Sequence, residues 1–236
     1  MHMNKLSTAA VTLATFAVAG MASAEVVRYD AFSDVSGFAT PDPFAARVLD
    51  FIQLDGPAGQ SAELDGLRVG FTVSGASEST TTPLVIFTEF FSGVDLDADD
   101  PLAGATSLGT QGINFGEQDV DRGTGGGIPT GLSANSNDII LPFGETIGVQ
   151  IRFRQDGSTF SEIASARLID VPADGVGSVV GDSYYLDADL DGFSAADAVA
   201  RNGKTFRLEV STLPVPEPTS VAVLGGLGLL GLRRRR

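Results

Sequence analysis

The sequence predicts an all-β protein, a single β-sandwich of jelly-roll type, and three observations carry that expectation. Several segments alternate apolar and polar residues with a period of two. Glycine-containing turn signals recur between them, and helical periodicity is almost absent. In Leu67-Arg68-Val69-Gly70-Phe71-Thr72-Val73, the Leu, Val, Phe and Val fall on one face. Val149-Gln150-Ile151-Arg152-Phe153-Arg154 sends both arginines outward, and Phe206-Arg207-Leu208-Glu209-Val210 repeats the pattern. Residues 83–91 include Leu84-Val85-Ile86-Phe87, apolar on both faces as a central strand requires. Weaker strand signals cover 26–32, 48–54, 138–141, 164–171 and 184–186.

Turns are expected at Asp55-Gly56, Asp65-Gly66, Asp156-Gly157, Asp174-Gly175 and Asp191-Gly192. Residues 104–136 are rich in Gly, Asn and Ser and are expected to hold the longest loops. One short helix is expected over 194–201. Ser194 would cap it, Asp197 would close the capping box, and Asn202-Gly203 would end it.

The two ends are of a different kind. Lys5 opens a positively charged segment, residues 6–20 carry no charge, and Ala22-Ser23-Ala24 offers small side chains before Glu25. This is the order of a secretory signal peptide, a helix over 1–24 cut between Ala24 and Glu25. At the other end, Pro216-Glu217-Pro218 leads into an apolar Gly/Leu run over 221–232, and Arg233, Arg234, Arg235 and Arg236 close the chain. Such a run is short against the ~20 residues that span a hydrocarbon core. Four terminal arginines would hold the last residues on the cytoplasmic side of a marginal membrane helix.

Pro-Glu-Pro, a short apolar run and a terminal arginine cluster, all within 214–236, resemble the PEP-CTERM sorting domain. The resemblance implies recognition and processing by an exosortase, after export through the Sec and signal-peptidase machinery. It also implies transient or short membrane anchorage and delivery to the cell envelope surface or beyond. It says nothing about the fold of residues 25–213, because the bodies on such tails are diverse.

That body is predicted to be one acidic β domain. Without Lys5 and the four terminal arginines, ten basic groups remain against 29 acidic ones once Glu217 is set aside, a charge of −19. Nucleic acid and anionic lipid are poor partners for such a surface, which lacks concentrated Lys and Arg. Cysteine is absent, so thiol chemistry and disulfides are excluded. The one histidine, His2, leaves with the signal peptide, which removes histidine-based triads, zinc sites and general bases from the body. The glycine-rich Arg122-Gly123-Thr124-Gly125-Gly126-Gly127 lacks the strand-to-helix context of a phosphate loop.

Two acidic runs remain. Asp187-Ala188-Asp189-Leu190-Asp191-Gly192 places oxygen ligands at alternate positions with glycine at the sixth, as in the first half of an EF-hand or dockerin calcium loop. Ala198 stands at the twelfth position, where a carboxylate should close the shell, so Asp187, Asp189 and Asp191 read either as calcium ligands or as a solvated acidic turn. Asp95-Leu96-Asp97-Ala98-Asp99-Asp100 alternates in the same way without the glycine. Tyr184 and Tyr185 are expected to pack in the core rather than to stack on sugar. These readings predict an exported, non-enzymatic surface or matrix protein whose body is structural, adhesive or carbohydrate-binding, with extracellular polysaccharide as a candidate partner. The alternative is a glycan-acting enzyme using a carboxylate pair.

Overall fold

A computed structural model describes residues 25–32, 37, 39–43, 45–73, 80–120, 139–155, 159–160, 164–172 and 175–214. Ala22, Ala24 and the signal segment lie outside the described residues. So do Arg122–Gly127, Asp156-Gly157, Asp174, and the sorting residues Pro216, Glu217, Pro218, Arg233, Arg234, Arg235 and Arg236. Among the described residues, no helix is long and apolar enough to cross a membrane.

The described chain is all β. Strands β1 (Val26–Asp30), β2 (Arg47–Gln53), β3 (Ser61–Val69), β4 (Phe71–Val73), β5 (Thr80–Ser92) and β6 (Thr106–Val120) come first. Then follow β7 (Ile140–Pro142), β8 (Thr146–Gln155), β9 (Thr159–Phe160), β10 (Ala164–Ala166) and β11 (Leu168–Asp170). The last are β12 (Ser178–Val179), β13 (Ser183–Asp187), β14 (Ala198–Ala200), β15 (Lys204–Phe206) and β16 (Leu208–Thr212). A four-stranded sheet runs β1-β16-β3-β7 and an eight-stranded one β14-β13-β2-β8-β5-β6, with β12 on β2 and β9 on β8. All named pairings are antiparallel. One apolar cluster draws on both sheets, with Tyr29, Leu67 and Val210 from the smaller and Val48, Ile86 and Phe153 from the larger. Each such side chain removed from water contributes roughly 1.5–3 kcal/mol.

Period-two alternation located several of the strands, and three segments break where the sequence reads as continuous. Gly70 separates β3 from β4, Arg167 separates β10 from β11, and Arg207 separates β15 from β16. The three break points bond to one another in a ring: Gly70 N–H to Arg207 O (2.8 Å), Arg207 N–H to Arg167 O (2.8 Å) and Arg167 N–H to Gly70 O (3.0 Å). Each strand thereby changes partner, so that β3 holds β16, β4 holds β10 and β11 holds β15. A side chain at residue 70 would strike Arg207, since a Cβ there would lie 2.7 Å from its Cδ. The glycine is what lets three backbones meet.

Three further expectations are corrected. Asp65-Gly66 is no turn; it lies inside β3 at a register shift against β16, where Gly66 leaves room for Ser211 and Glu25. Residues 106–120 are no loop but the longest strand, because their glycines suit pairing with β5: Gly112 sits opposite Phe87 and beneath its ring. The helix expected over 194–201 shrinks to a single 3-10 turn, Ala195–Asp197, although the Ser194/Asp197 capping box forms as read. Ala198–Ala200 instead pairs with β13, placing Val199 opposite Tyr184 and against the core; tertiary pairing overrides the local helix preference of alanine.

Candidate functional site

The inner face of the eight-stranded sheet is core, and its outer face carries the chemistry. Leu49 and Phe51 of β2, with Tyr185 of β13 and Phe193, form a second apolar cluster on that outer face. Val94, Leu96 and Leu102 pack on it from the segment between β5 and β6. The apolar residues of the 95–100 run therefore fasten it down, and its aspartates are left at the surface. Tyr185 packs edge-on to both Phe51 and Phe193. Tyr184 faces the opposite side and packs on Phe206, so both tyrosines are core residues as expected.

This packing brings the two acidic runs together. Asp99 accepts a hydrogen bond from the Ala195 N–H at 3.2 Å, and burial, then the charges of Asp100 and Asp99, raise the Tyr185 pKa. Asp187, Asp189 and Asp191 converge so that one carboxylate oxygen of each lies within 4.8 Å of the others. The local backbone explains the convergence. Asp187 Oδ1 accepts from Leu190 N–H at 2.6 Å, and Leu190 and Gly192 turn the chain with φ of 66° and 130°. Leucine in the left-handed region is strained, and the aspartate hydrogen bond holds it there.

The three carboxylates differ in setting. Asp187 is fully buried, and Asp189 and Asp191 are exposed. Burial raises the Asp187 pKa against the lowering pull of Arg47. Arg47 Nε approaches Asp187 Oδ2 at 2.9 Å, yet Oδ2 receives no aligned hydrogen bond. The Asp191 pKa is raised first by the charge of Asp189 and then by a shared hydrogen bond with it. A buried oxygen with spare acceptor capacity beside two mutually repelling carboxylates suits a hard divalent cation, which takes oxygen ligands and cancels the repulsion. Asp197 lies outside the converging set, and its Oδ2 accepts from Ser194 N–H and Oγ, both at 2.9 Å. Ala198 lies in β14 opposite Tyr185 and has no carboxylate to offer. The set is three carboxylates, short of a full EF-hand shell.

A second aspartate cluster went unread in the sequence. Asp50 of β2 faces the interior, 2% exposed. Arg201 bonds it through Nη2 (2.6 Å) and Nη1 (3.2 Å), Thr205 Oγ1 donates at 2.9 Å, and Phe51 N–H donates at 2.8 Å. Arg201 also donates to the carbonyls of Val180, Gly181, Ser183 and Lys204. Burial disfavours charge on Arg201, but Asp50 outweighs it and the guanidinium pKa ends above its ordinary value. The signal available was a charged residue at an inward position of an otherwise apolar strand, Val48-Leu49-Asp50-Phe51-Ile52.

An open cleft of about 600 Å³ lies elsewhere, lined by Gln53, Leu54, Asp55, Gly56, Gly144 and 175–178. Asp55 is the acidic residue in that lining, whereas carboxylate-pair catalysis needs two. The body's ends meet near it. Val26 pairs with Thr212, and Arg28 bonds both Thr212 Oγ1 and the Asp55 carbonyl. The acidic loops sit at the Arg47 end of β2 and Asp55 follows its other end, about 20 Å away at the rise of a β-strand. Compared with known proteins, the chain matches no family model, no curated protein and no solved structure.

Proposed function

We propose that this chain is an exported surface or matrix component, sorted by its 214–236 tail through an exosortase. Its two larger sheets form a β-sandwich of jelly-roll type that binds carbohydrate and performs no chemistry on it. A calcium ion held by Asp187, Asp189 and Asp191 braces the outer loops. The convergence of these three carboxylates around the under-bonded buried oxygen of Asp187 carries the calcium part of the reading. A binding role over a catalytic one is supported by the ion pairing of the buried carboxylates: Asp50 lies against Arg201, Asp187 against Arg47 and Glu209 against Arg68. Orientation supports a surface role. Glu25 and Leu213 bracket paired ends of one sheet, so a tether there leaves the acidic loops facing outward.

The deciding experiment has two readouts on the same protein. Calcium should raise the melting temperature, and the host's own exopolysaccharide should be retained in a pull-down without being shortened. Shortening of the polysaccharide would favour the glycan-acting enzyme instead, and failure to retain it would leave a purely structural body.

A further inference from the structure

We propose that the outer face of β8 and β5 is a site for the carboxylate of an acidic sugar, with Arg152 clasping the carboxylate and Phe87 carrying the sugar ring. This rests on the carbohydrate-binding reading above and names the class of sugar. Residues directly opposite one another in an antiparallel sheet share a face. Register therefore lines up Asp187, Arg47, Arg152, Phe87 and Gly112 in one row across β13, β2, β8, β5 and β6. Arg154 lies on the same face two residues along β8. Three of the body's ten basic groups thus share one patch of a chain whose body carries a charge of −19.

Two like charges meet at the middle of this row. Arg47 and Arg152 are directly opposed, an arrangement that destabilises a sheet when nothing intervenes. The carboxylates they meet among the described residues are Asp187, at 2.9 Å from Arg47, and Glu89, at 3.0 Å from Arg152. Arg152 Nε is buried without a hydrogen-bond partner. Burial, with the neighbouring charges of Arg154 and Arg47, lowers the Arg152 pKa against the opposing pull of Glu89. Nε itself is closed to solvent, so an incoming carboxylate would meet the part-exposed Nη end of the guanidinium, whose planar fork can grip it with two parallel hydrogen bonds.

Phe87 gives the patch its second element. It is half-buried on the outer face, and its ring lies over Gly112, where a Cβ would come within 3.2 Å of it. Its centroid is 5.9 Å from the Arg152 guanidinium and 5.6 Å from that of Arg154. An aromatic face beside a cationic fork is suited to a sugar that carries both an apolar ring face and a carboxylate. The body's own charge repels a dense polyanion at long range. That repulsion is screened beyond about 8 Å at physiological salt, so a short acidic oligosaccharide can reach the site.

The test uses the full-length protein in detergent, titrated with trigalacturonic acid, with neutral maltotriose and with inorganic sulfate. Trigalacturonic acid should bind at least tenfold more tightly than maltotriose, and sulfate should not displace it at equal concentration. Arg152→Gln and Phe87→Leu should each weaken binding about tenfold with little change in melting temperature. Glu89→Gln should tighten it by releasing Arg152, an effect that a purely structural arginine would not produce. Equal binding by Arg152→Gln, weaker binding by Glu89→Gln, equal affinity for maltotriose, or displacement by sulfate would each overturn the proposal. If Arg152→Gln does not fold, Glu89→Gln and Phe87→Leu still decide. Host polysaccharide retained equally by wild type and Arg152→Gln would remove this site and leave the broader reading standing; retention of no polysaccharide at all would remove both.

Discussion

Asp50 and Asp187 are both buried aspartates facing an arginine, and they differ in how completely they are satisfied. Asp50 takes two bonds from Arg201, one from Thr205 and two from backbone N–H groups. Asp187 takes one from Leu190 N–H and an unaligned approach from Arg47, with two further carboxylates crowding it. Fixed donors close the first cluster, so an added ion has nothing to contribute there. The second leaves negative charge and acceptor capacity over, which is the condition in which an external cation lowers the free energy. Satisfaction, more than burial or charge count, separates an aspartate that holds the fold from one that awaits a ligand.

The largest expected effect tests the closed side of that contrast. Arg201→Met or Asp50→Leu should each lower the unfolding free energy by about 3–5 kcal/mol in urea titration, the cost of stranding one partner of a buried pair. The double substitution should fail to restore stability, because the carbonyls of Val180, Gly181, Ser183 and Lys204 would still lose their donor, at about 1–3 kcal/mol for each left unsatisfied. A double variant as stable as wild type would show that the network is dispensable.

The open side should respond to calcium. At a hundredfold excess over its dissociation constant, a ligand of the folded state adds about 2.7 kcal/mol. Differential scanning calorimetry in calcium and in chelator should therefore differ, and Asp189→Ala should erase the difference. Asp191→Asn without calcium should melt slightly higher than wild type, because it removes the repulsion with Asp189. Coincident curves in calcium and chelator would make the loop a solvated acidic turn.

A smaller effect concerns pH. The pKa values of Asp187 and Asp191 are raised in the folded protein. The calcium-free fold thus holds these protons to higher pH than the unfolded chain does. It gains stability as pH falls from neutral through the raised values, and that gain is complete below the ordinary aspartate range; it is lost again as pH rises. Protons and calcium compete for the same oxygens, so the calcium-dependent rise in melting temperature should shrink on acidification. A calcium effect that is the same at neutral and mildly acidic pH would place the ion elsewhere.

How much of this was legible beforehand follows from the physics of each signal. Alternation in 149–154 marks which face is buried, and the apolar run in 48–54 marks a strand covered on both faces; both segments are strands of the larger sheet. It cannot mark where a strand changes partners, because the ring at Gly70, Arg167 and Arg207 is made by residues far apart in sequence. Asp-Gly and glycine-rich segments mislead when a glycine serves close packing, as Gly66 and Gly112 do. The acidic run at 187–192 was readable as three converging oxygens because spacing within one loop is local. Its meeting with the 95–100 run was not, and neither was the Arg47–Arg152–Phe87 row, since cross-strand register joins residues that no local pattern relates.

The smallest expected effect is that of the tail, and it sharpens the contrast by asking whether either aspartate cluster feels it. β16 is flanked by β1 and β3, and among the described residues the last backbone bond from this segment is Leu213 N–H to the Glu63 carbonyl. Pro214, Pro216 and Pro218 have no N–H with which to continue a ladder, so the sheet should end there. A chain spanning residues 25–213 should consequently melt within a degree or two of the full-length protein in detergent and keep the same calcium dependence, since surface changes away from packed features usually shift stability by less than about 0.5 kcal/mol. Cutting one residue earlier should be worse, because it removes Leu213 and exposes the buried Thr212. In the native host, replacing Pro216, Glu217 and Pro218 by alanine should leave unprocessed protein in the membrane with the body still folded. Normal processing of that variant alongside an exosortase would defeat the sorting assignment. A body that unfolds on truncation at Leu213 would mean that the tail packs against the domain, and the two clusters could then no longer be treated as properties of the body alone.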